Sequence, residues 1–351
     1  MSASNTDRKF QPSGKAYRSE SNDYTYGRES YIMLLAYNRI RSIVSSSLGR
    51  IYVRYNSNSQ NKWLNRQLRD PYTKEAKVQN LRSRAAFKLM QIDDKYRLFN
   101  KNKSDQRILD LGYAPGAWSQ VARQRSSPDS MILGVDILPC EPPRGVNSIQ
   151  ANILAKRTHD LIRLFFSKHF QLNRHDELHK DHGYFQDMLE EELTHVKDTE
   201  LYREIFTSDD NYDTPGTNST LKEREKFPVD VIISDMYEPW PQTTGFWNNI
   251  TNQAYFRMAN TTGVSIRDHY QSIDLCDAAL ITAIDLLRPL GSFVCKLYTG
   301  EEENLFKKRM EAVFNNVHKF KPDASRSESK ETYYIGLKKK KNIDKLDVFS
   351  N

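Results

Sequence analysis

Between Arg107 and Gln120 the chain runs Arg-Ile-Leu-Asp-Leu-Gly-Tyr-Ala-Pro-Gly-Ala-Trp-Ser-Gln. A short apolar run ends in Asp110, and Gly112, Pro115 and Gly116 punctuate a turn. Trp118, Val121 and Ala122 then restart the apolar pattern at helical spacing. This predicts a strand, a tight loop and a helix start, in that order. Such a unit opens the nucleotide-binding half of a doubly wound α/β sheet. Glycines let the backbone approach a ligand, and free N–H groups at a helix N-terminus face whatever sits there.

The loop carries neither Gly-x-Gly-x-x-Gly nor a Gly-Lys-Ser/Thr ending, so the dinucleotide and P-loop readings fail. Pro115 stiffens the turn and removes a donor, which makes it poor at cradling a pyrophosphate. A ligand with a carboxylate, an ammonium and a neutral sugar suits it better, and S-adenosylmethionine is such a ligand. Met131 to Asp136 reads as the next strand. An acid there, roughly twenty residues past the loop, is placed to meet ribose hydroxyls, so Asp136 is the expected ribose anchor. Asn152, within the end of a third strand over Ser148 to Ile153, is a candidate for the adenine edge. The alternative for the whole stretch is a plain strand-to-helix turn without a ligand.

Val229 to Asp235 is a buried strand ending in an acid, and Gly291 to Lys296 another ending in a base. Ligands in open α/β sheets sit beyond the carboxyl ends of the strands. Asp110, Asp136, Asp235 and Lys296 at four such ends therefore predict a polar reaction chamber. Asp70-Pro71 has the form of a helix cap followed by proline. Leu81, Ala85, Leu89 and Ile92 follow as a helical core stripe, with Arg82, Arg84 and Lys88 on the other face. That face is either a solvated basic surface or one that meets phosphates or a reacting hydroxyl. A further helix is expected from Ser272 to Leu287, and a last strand from Glu331 to Leu337.

Lys plus Arg exceed Asp plus Glu by 52 − 45 = 7, which favours a polyanionic partner. The cysteines Cys140, Cys276 and Cys295 are widely spaced and fit reduced thiols, with neither a disulfide frame nor zinc. No apolar run reaches membrane-spanning length. Residues 1–32 form a polar leader with the composition of a disordered segment. Residues 33–69 lack any acid, are rich in Arg and Ser, and carry an amphipathic pattern, as mitochondrial transit peptides do. A basic RNA-binding arm is the other reading. A domain is expected over 70–342, with a charged surface insertion at 155–226 and a tail at 343–351. The insertion holds six of the eight histidines, including His175, His179 and His182, but no closed ligand set, so no metal is expected. Trp240, Phe246 and Trp247 are candidates for stacking on bases or for a packed lid.

These motifs resemble the FtsJ-like family of S-adenosylmethionine-dependent ribose 2′-O-methyltransferases. The resemblance is carried by Asp70-Pro71-Tyr72, Arg82 to Leu89, Leu109 to Gln120, Ser234-Asp235-Met236, Gly291 to Lys296, and Lys321 to Arg326 through Glu331. It implies a Rossmann-like, mostly parallel seven-stranded sheet with helices on both faces and a reversed final hairpin. It implies a catalytic Lys-Asp-Lys-Glu tetrad at Lys88, Asp235, Lys296 and Glu331. Cofactor contacts are implied at Asp110, Gly112, Ala114, Pro115, Gly116, Ala117, Trp118, Asp136, Asn152 and Asp235. Two positions depart from the family pattern: Ala117 where a second glycine is common, and Asn152 where an acid is usual. The implied substrate is a uridine in the A-loop of large-subunit rRNA, which the transit-like segment places in the mitochondrial matrix. The expected partners are that rRNA or the pre-ribosomal large subunit, met by a monomer. The rival is a ribosome-assembly factor that binds RNA and whose methylation is dispensable.

Overall fold

The computed structural model describes residues 69–103, 105–167, 186–197, 224, 226–238, 240–241, 258–259 and 261–350. They belong to one compact unit, Asn65–Asn351. The leader, the transit-like segment, the three histidines named above, Phe246 and Trp247 lie outside the described residues, as does the side chain of Trp240.

Seven strands form the sheet: β1 (Arg107–Leu111), β2 (Met131–Asp136), β3 (Asn147–Gln150), β4 (Val229–Ser234), β5 (Leu287–Tyr298), β6 (Phe314–Phe320) and β7 (Glu331–Lys339). Their order is β3-β2-β1-β4-β5-β7-β6. All neighbours are parallel except β7, which runs antiparallel to both β5 and β6. Successive strand residues point to opposite faces. Ile108, Ile132, Val231, Ile233, Val294, Tyr333 and Ile335 therefore pack on one side, under helices α1 (Pro71–Val78), α2 (Ala85–Tyr96) and α3 (Ala117–Arg125). Leu109, Leu133, Ile232, Phe293, Cys295 and Tyr334 pack on the other. That side is covered by α4 (Lys156–Phe166), α5 (Gln186–Lys197), α6 (Ser265–Leu286), α7 (Glu303–Val313) and the short α8 (Lys345–Phe349). Burial on both faces is why the parallel strands read as unbroken apolar runs.

Several expectations are corrected. The stripe from Leu81 to Ile92 belongs to no single helix, because Asn80 takes φ +52° after α1 and turns the chain. Leu81 N donates to Ala76 O at 2.8 Å in the left-handed helix ending that this conformation creates. The helix expected from Ser272 starts seven residues earlier, at Ser265. Strand β6 gave no apolar run because it is an edge strand whose side chains are mostly exposed. The segment 155–226 is not simply a surface insertion: Leu161, Phe165, Phe166, Leu189 and Leu193 are in the core, so α4 and α5 are crossover helices between β3 and β4. The tail packs too, with Val348 buried and Lys345 paired to Asp285 at 2.6 Å.

One buried amine makes the fold's stability depend on pH. Lys339, 3% exposed, donates to Ile284 O and Leu287 O, both at 2.6 Å, and so caps the end of α6. Burial pushes its pKa down to about 7, with Asp285 opposing the shift. Between that value and the unfolded value near 10.4 the unfolded chain binds more protons, so stability rises with pH across this window. Replacing Lys339 by Met should flatten the slope of unfolding free energy between pH 8 and 9.5 by up to about 1.4 kcal/mol per pH unit. Denaturant titrations across that range read it directly. An unchanged slope would mean that the amine stays protonated.

Candidate active site

The loop after β1 is built as its residues dictate. Gly112 takes φ +70° and Gly116 φ +97°. A Cβ on Gly112 would lie 2.5 Å from Met236 Cγ and 3.1 Å from Met236 Cα, and one on Gly116 would lie 2.9 Å from Pro143. Neither position admits a side chain, which is why this turn needs glycine. Arg82 braces the loop from behind: Nη1 donates to Pro115 O at 2.8 Å and to Glu141 O, and Nη2 to Pro142 O at 3.1 Å. Asp136, at the end of β2, accepts from Ala114 N at 3.0 Å and from Leu138 N at 2.9 Å. It thus ties the loop to β2 while keeping acceptor capacity in hand. Trp118 is buried at 2% exposure and gives its indole N–H to Ala85 O at 3.0 Å. It shapes the floor and has no donor left for a ligand. Ala114 and Ala117 are likewise buried, whereas Gly112 and Pro115 are the half-open residues of the turn.

Asp110 is fully buried inside β1. Its Oδ2 accepts from Ser119 Oγ at 2.6 Å, while Oδ1 has no partner. Burial pushes its pKa up to about 8, against the Ser119 hydrogen bond and with help from Asp235 and Asp136. An orphaned oxygen beside two positive-φ glycines and two further carboxylates fits a ligand bearing an ammonium and a ribose diol. Asn152 fits an adenine contact less well: it is exposed, and its Oδ1 accepts from Leu154 N at 3.0 Å.

Beside this loop the fold gathers four charged groups from α2, the end of β4, β5 and β7. Lys88 Nζ lies 2.6 Å from Glu331 Oε1 and 2.8 Å from Oε2. Lys296 Nζ donates to Asp235 O at 2.7 Å and lies 3.1 Å from Asp235 Oδ1. Burial alone would raise the Glu331 pKa, but Lys88 and Lys296 beside it hold the carboxyl well below the usual range. Two ammoniums and two carboxylates balance, which is what permits their burial. Arg82 and Arg84, expected on a basic helix face beside Lys88, do not form one. Arg84 precedes α2, pairs with Asp70 and donates to Ala324 O, while Arg326 reaches the same Asp70 oxygen at 3.4 Å.

Tyr333 joins the two ion pairs, and the sequence reading missed it. Its hydroxyl lies 2.9 Å from Glu331 Oε1 and 3.2 Å from Asp235 Oδ1, and its ring is 5.6 Å from Trp118. Ser325 Oγ also donates to Glu331 Oε1, at 3.1 Å. The available signal was period two: Tyr333 is two residues past Glu331 on one strand, hence on the same face. Tyr333→Phe removes the single proton that both carboxylates share. We expect a stability loss of about 1–2 kcal/mol and roughly tenfold slower turnover at unchanged cofactor affinity, read by thermal melts and single-turnover rates. Parent-like turnover would reduce Tyr333 to packing.

A family model described as FtsJ-like methyltransferase matches residues 81–339. The chain is 92% identical over 319 residues to "rRNA methyltransferase 2, mitochondrial" of Saccharomyces cerevisiae, covering 91% of this chain and 100% of the relative. It is 31% identical to the Schizosaccharomyces pombe protein of the same description, covering 79% and 95%. It is 30% identical to the ribosomal RNA large subunit methyltransferase E of Rickettsia akari, covering 80% and 90%.

Proposed function

The chain belongs to the FtsJ-like methyltransferase family, and on that premise we propose that it methylates the 2′-hydroxyl of a uridine ribose in mitochondrial large-subunit rRNA. The target lies in the A-loop of the peptidyl-transferase centre, and the modification contributes to mitochondrial ribosome biogenesis. The observation that carries this reading is the meeting of Lys88, Asp235, Lys296 and Glu331 next to the glycine loop. The printed names of the fungal and bacterial relatives support rRNA as the substrate and the mitochondrion as the compartment.

The cofactor S-adenosylmethionine, when bound, supplies a methyl on a sulfonium, which leaves readily and needs no acid. Gly112, Pro115 and Gly116 give it a close backbone wall, Asp136 an acceptor for its ribose, and Asp110 and Asp235 carboxyls for its polar edge. Asn152 is the weakest of these contacts, for the reasons of exposure and bonding given above. The chain's own task is alignment of the nucleophile, which is worth several kcal/mol when the reacting atoms are held close. Lys296 has two of its three hydrogen-bonding directions taken by Asp235, and its Nζ lies 5.0 Å from the centre of the Tyr237 ring; in this reading the remaining direction serves the incoming hydroxyl. As the ammonium, Lys296 orients that hydroxyl for in-line attack. As the neutral amine, with both N–H bonds given to Asp235, it takes the 2′-OH proton on its lone pair while the methyl passes to the oxygen and the sulfonium leaves as a neutral thioether. Lys88, clamped by both Glu331 oxygens, positions the ribose.

Ribose-methylation mapping of mitochondrial rRNA tests this, in cells lacking the protein and in cells carrying Lys296→Ala. Loss of one 2′-O-methyl in both supports the proposal. An unchanged map refutes it. Normal ribosome assembly in the Lys296→Ala cells alone would assign the assembly role to RNA binding rather than to methylation.

A further inference from the structure

Helix α2 carries Lys88, Gln91 and Lys95 along one side, because residues three, four and seven apart share a helix face. Lys88 meets Glu331 at one end of this row, and in the middle Gln91 Oε1 accepts from Ala324 N at 3.0 Å. At the far end Lys95 Nζ sits 4.4 Å from the centre of the Phe320 ring and 5.5 Å from that of Tyr96. Tyr96 lies 5.2 Å from His318 with the rings tilted 32°, and 5.9 Å from Phe320 with the rings at 77°. His318 and Phe320 stand two apart on edge strand β6, opposite Ile335 and Tyr333. They therefore project from the face that holds Tyr333 in the site.

The result is a strip of rings and amines leading from the tetrad to the edge of the sheet. His318 and Lys95 are exposed, and Tyr96 and Phe320 half-buried. Rings that only sealed the core would not need an exposed imidazole and a lysine on top of them. The acids of α2 are turned elsewhere, Asp93 and Asp94 both onto Arg125. Lys95 and Arg97 have no carboxylate partner among the described residues. The adjoining loop carries Lys321 and Lys330 with Asp323 and Glu328, and its Arg326 is turned onto Asp70. From Lys88 to Tyr96 the helix rises about 12 Å, the length of roughly three to four stacked nucleotides. Aromatic faces interleaved with cations bind unpaired bases without reading their identity.

Resting on the rRNA-substrate reading above, we infer that Lys95, Tyr96, His318 and Phe320 form a stacking platform for unpaired nucleotides flanking the methylated one. The platform sets the register of the strand, so that one ribose among its neighbours reaches Lys296. The ammonium over Phe320 moves aside for a base and stays near the phosphate that follows it.

The test is fluorescence anisotropy of a labelled RNA hairpin carrying the A-loop sequence, with the full chain and two variants. His318→Ser combined with Phe320→Leu removes two of the three rings and leaves Tyr96, and Lys95→Gln removes only charge. The double variant should weaken RNA binding about tenfold. Lys95→Gln should lower the salt dependence by about one counterion. Cofactor affinity should stay at the parent value in both, while turnover at saturating RNA should fall in the double variant, because RNA bound out of register does not bring its ribose to Lys296. Parent-like RNA affinity in a double variant with normal melting overturns the inference and leaves the substrate reading intact. The same holds if RNA affinity is unchanged while retention on ribosomal large-subunit proteins falls, which would make the strip a protein-docking surface. If the parent itself binds no hairpin RNA, the substrate reading fails and takes the platform with it.

Discussion

Replacing Lys296 by Met should slow methyl transfer about a thousandfold, in the middle of the range for a positioned proton acceptor, while cofactor and RNA affinities stay within a few-fold of the parent. The side chain is 1% exposed, so the substitution keeps an aliphatic stem of similar length in a closed space. It leaves Asp235 O and Asp235 Oδ1 without their shared donor. That should cost about 1–3 kcal/mol of stability, because partners of a removed donor keep their desolvation penalty. Tyr333 remains beside Asp235 as a substitute donor, which limits the loss. Lys296→Arg should not restore activity: a planar fork cannot take the place of a compact amine in so tight a site. A melt run beside the rate measurement separates the two effects. A Met variant that folds and still turns over within tenfold of the parent would remove Lys296 from the chemistry.

The second large effect is expected at the loop. Gly112→Ala combines a left-handed backbone with a Cβ 2.5 Å from Met236 Cγ and 3.1 Å from Met236 Cα. The side-chain contact can relax by rotation, but the backbone contact cannot. The left-handed penalty of about 1–2 kcal/mol and the overpacking cost of about 1–3 kcal/mol fall on the same residue. The loop is expected to shift away from the segment after β4, pulling Asp110 and the Pro115 turn out of register. Calorimetric titration with S-adenosylmethionine should show affinity weakened at least about tenfold, together with a lower melting temperature. An alanine variant that binds the cofactor like the parent would show that the loop is not the cofactor wall.

How much of this was legible beforehand depends on the distance along the chain over which each signal acts. The strand-loop-helix at Arg107–Gln120, the Asp70 cap and the apolar parallel strands are local patterns, and each appears where the residues placed it. Asp70 Oδ1 does accept from Tyr72 N at 3.0 Å with Pro71 opening the helix. The four charges are another matter. Lys88 and Glu331 are 243 residues apart, and only the resemblance to a family could name them together. Strand β6 escaped because an edge strand with one exposed face carries little hydrophobic signal. Helical spacing puts Arg82 and Arg84 on a basic face with Lys88, either solvated or meeting phosphates or a reacting hydroxyl, yet Arg82 satisfies carbonyls of the loop after β1 and Arg84 a carbonyl at Ala324 together with the Asp70 cap. The crossover role of α4 was hidden by the charged residues around it, although its Leu161, Phe165 and Phe166 are core.

Methyl transfer from labelled S-adenosylmethionine to a mitochondrial A-loop transcript, compared with the same transcript carrying 2′-deoxyuridine at the modified position, tests the central claim most directly. The ribose-directed tetrad predicts label on the first RNA and none on the second, with the loss confined to that one nucleotide. Label retained on the deoxy transcript at that position would place the methyl on the base and contradict the account.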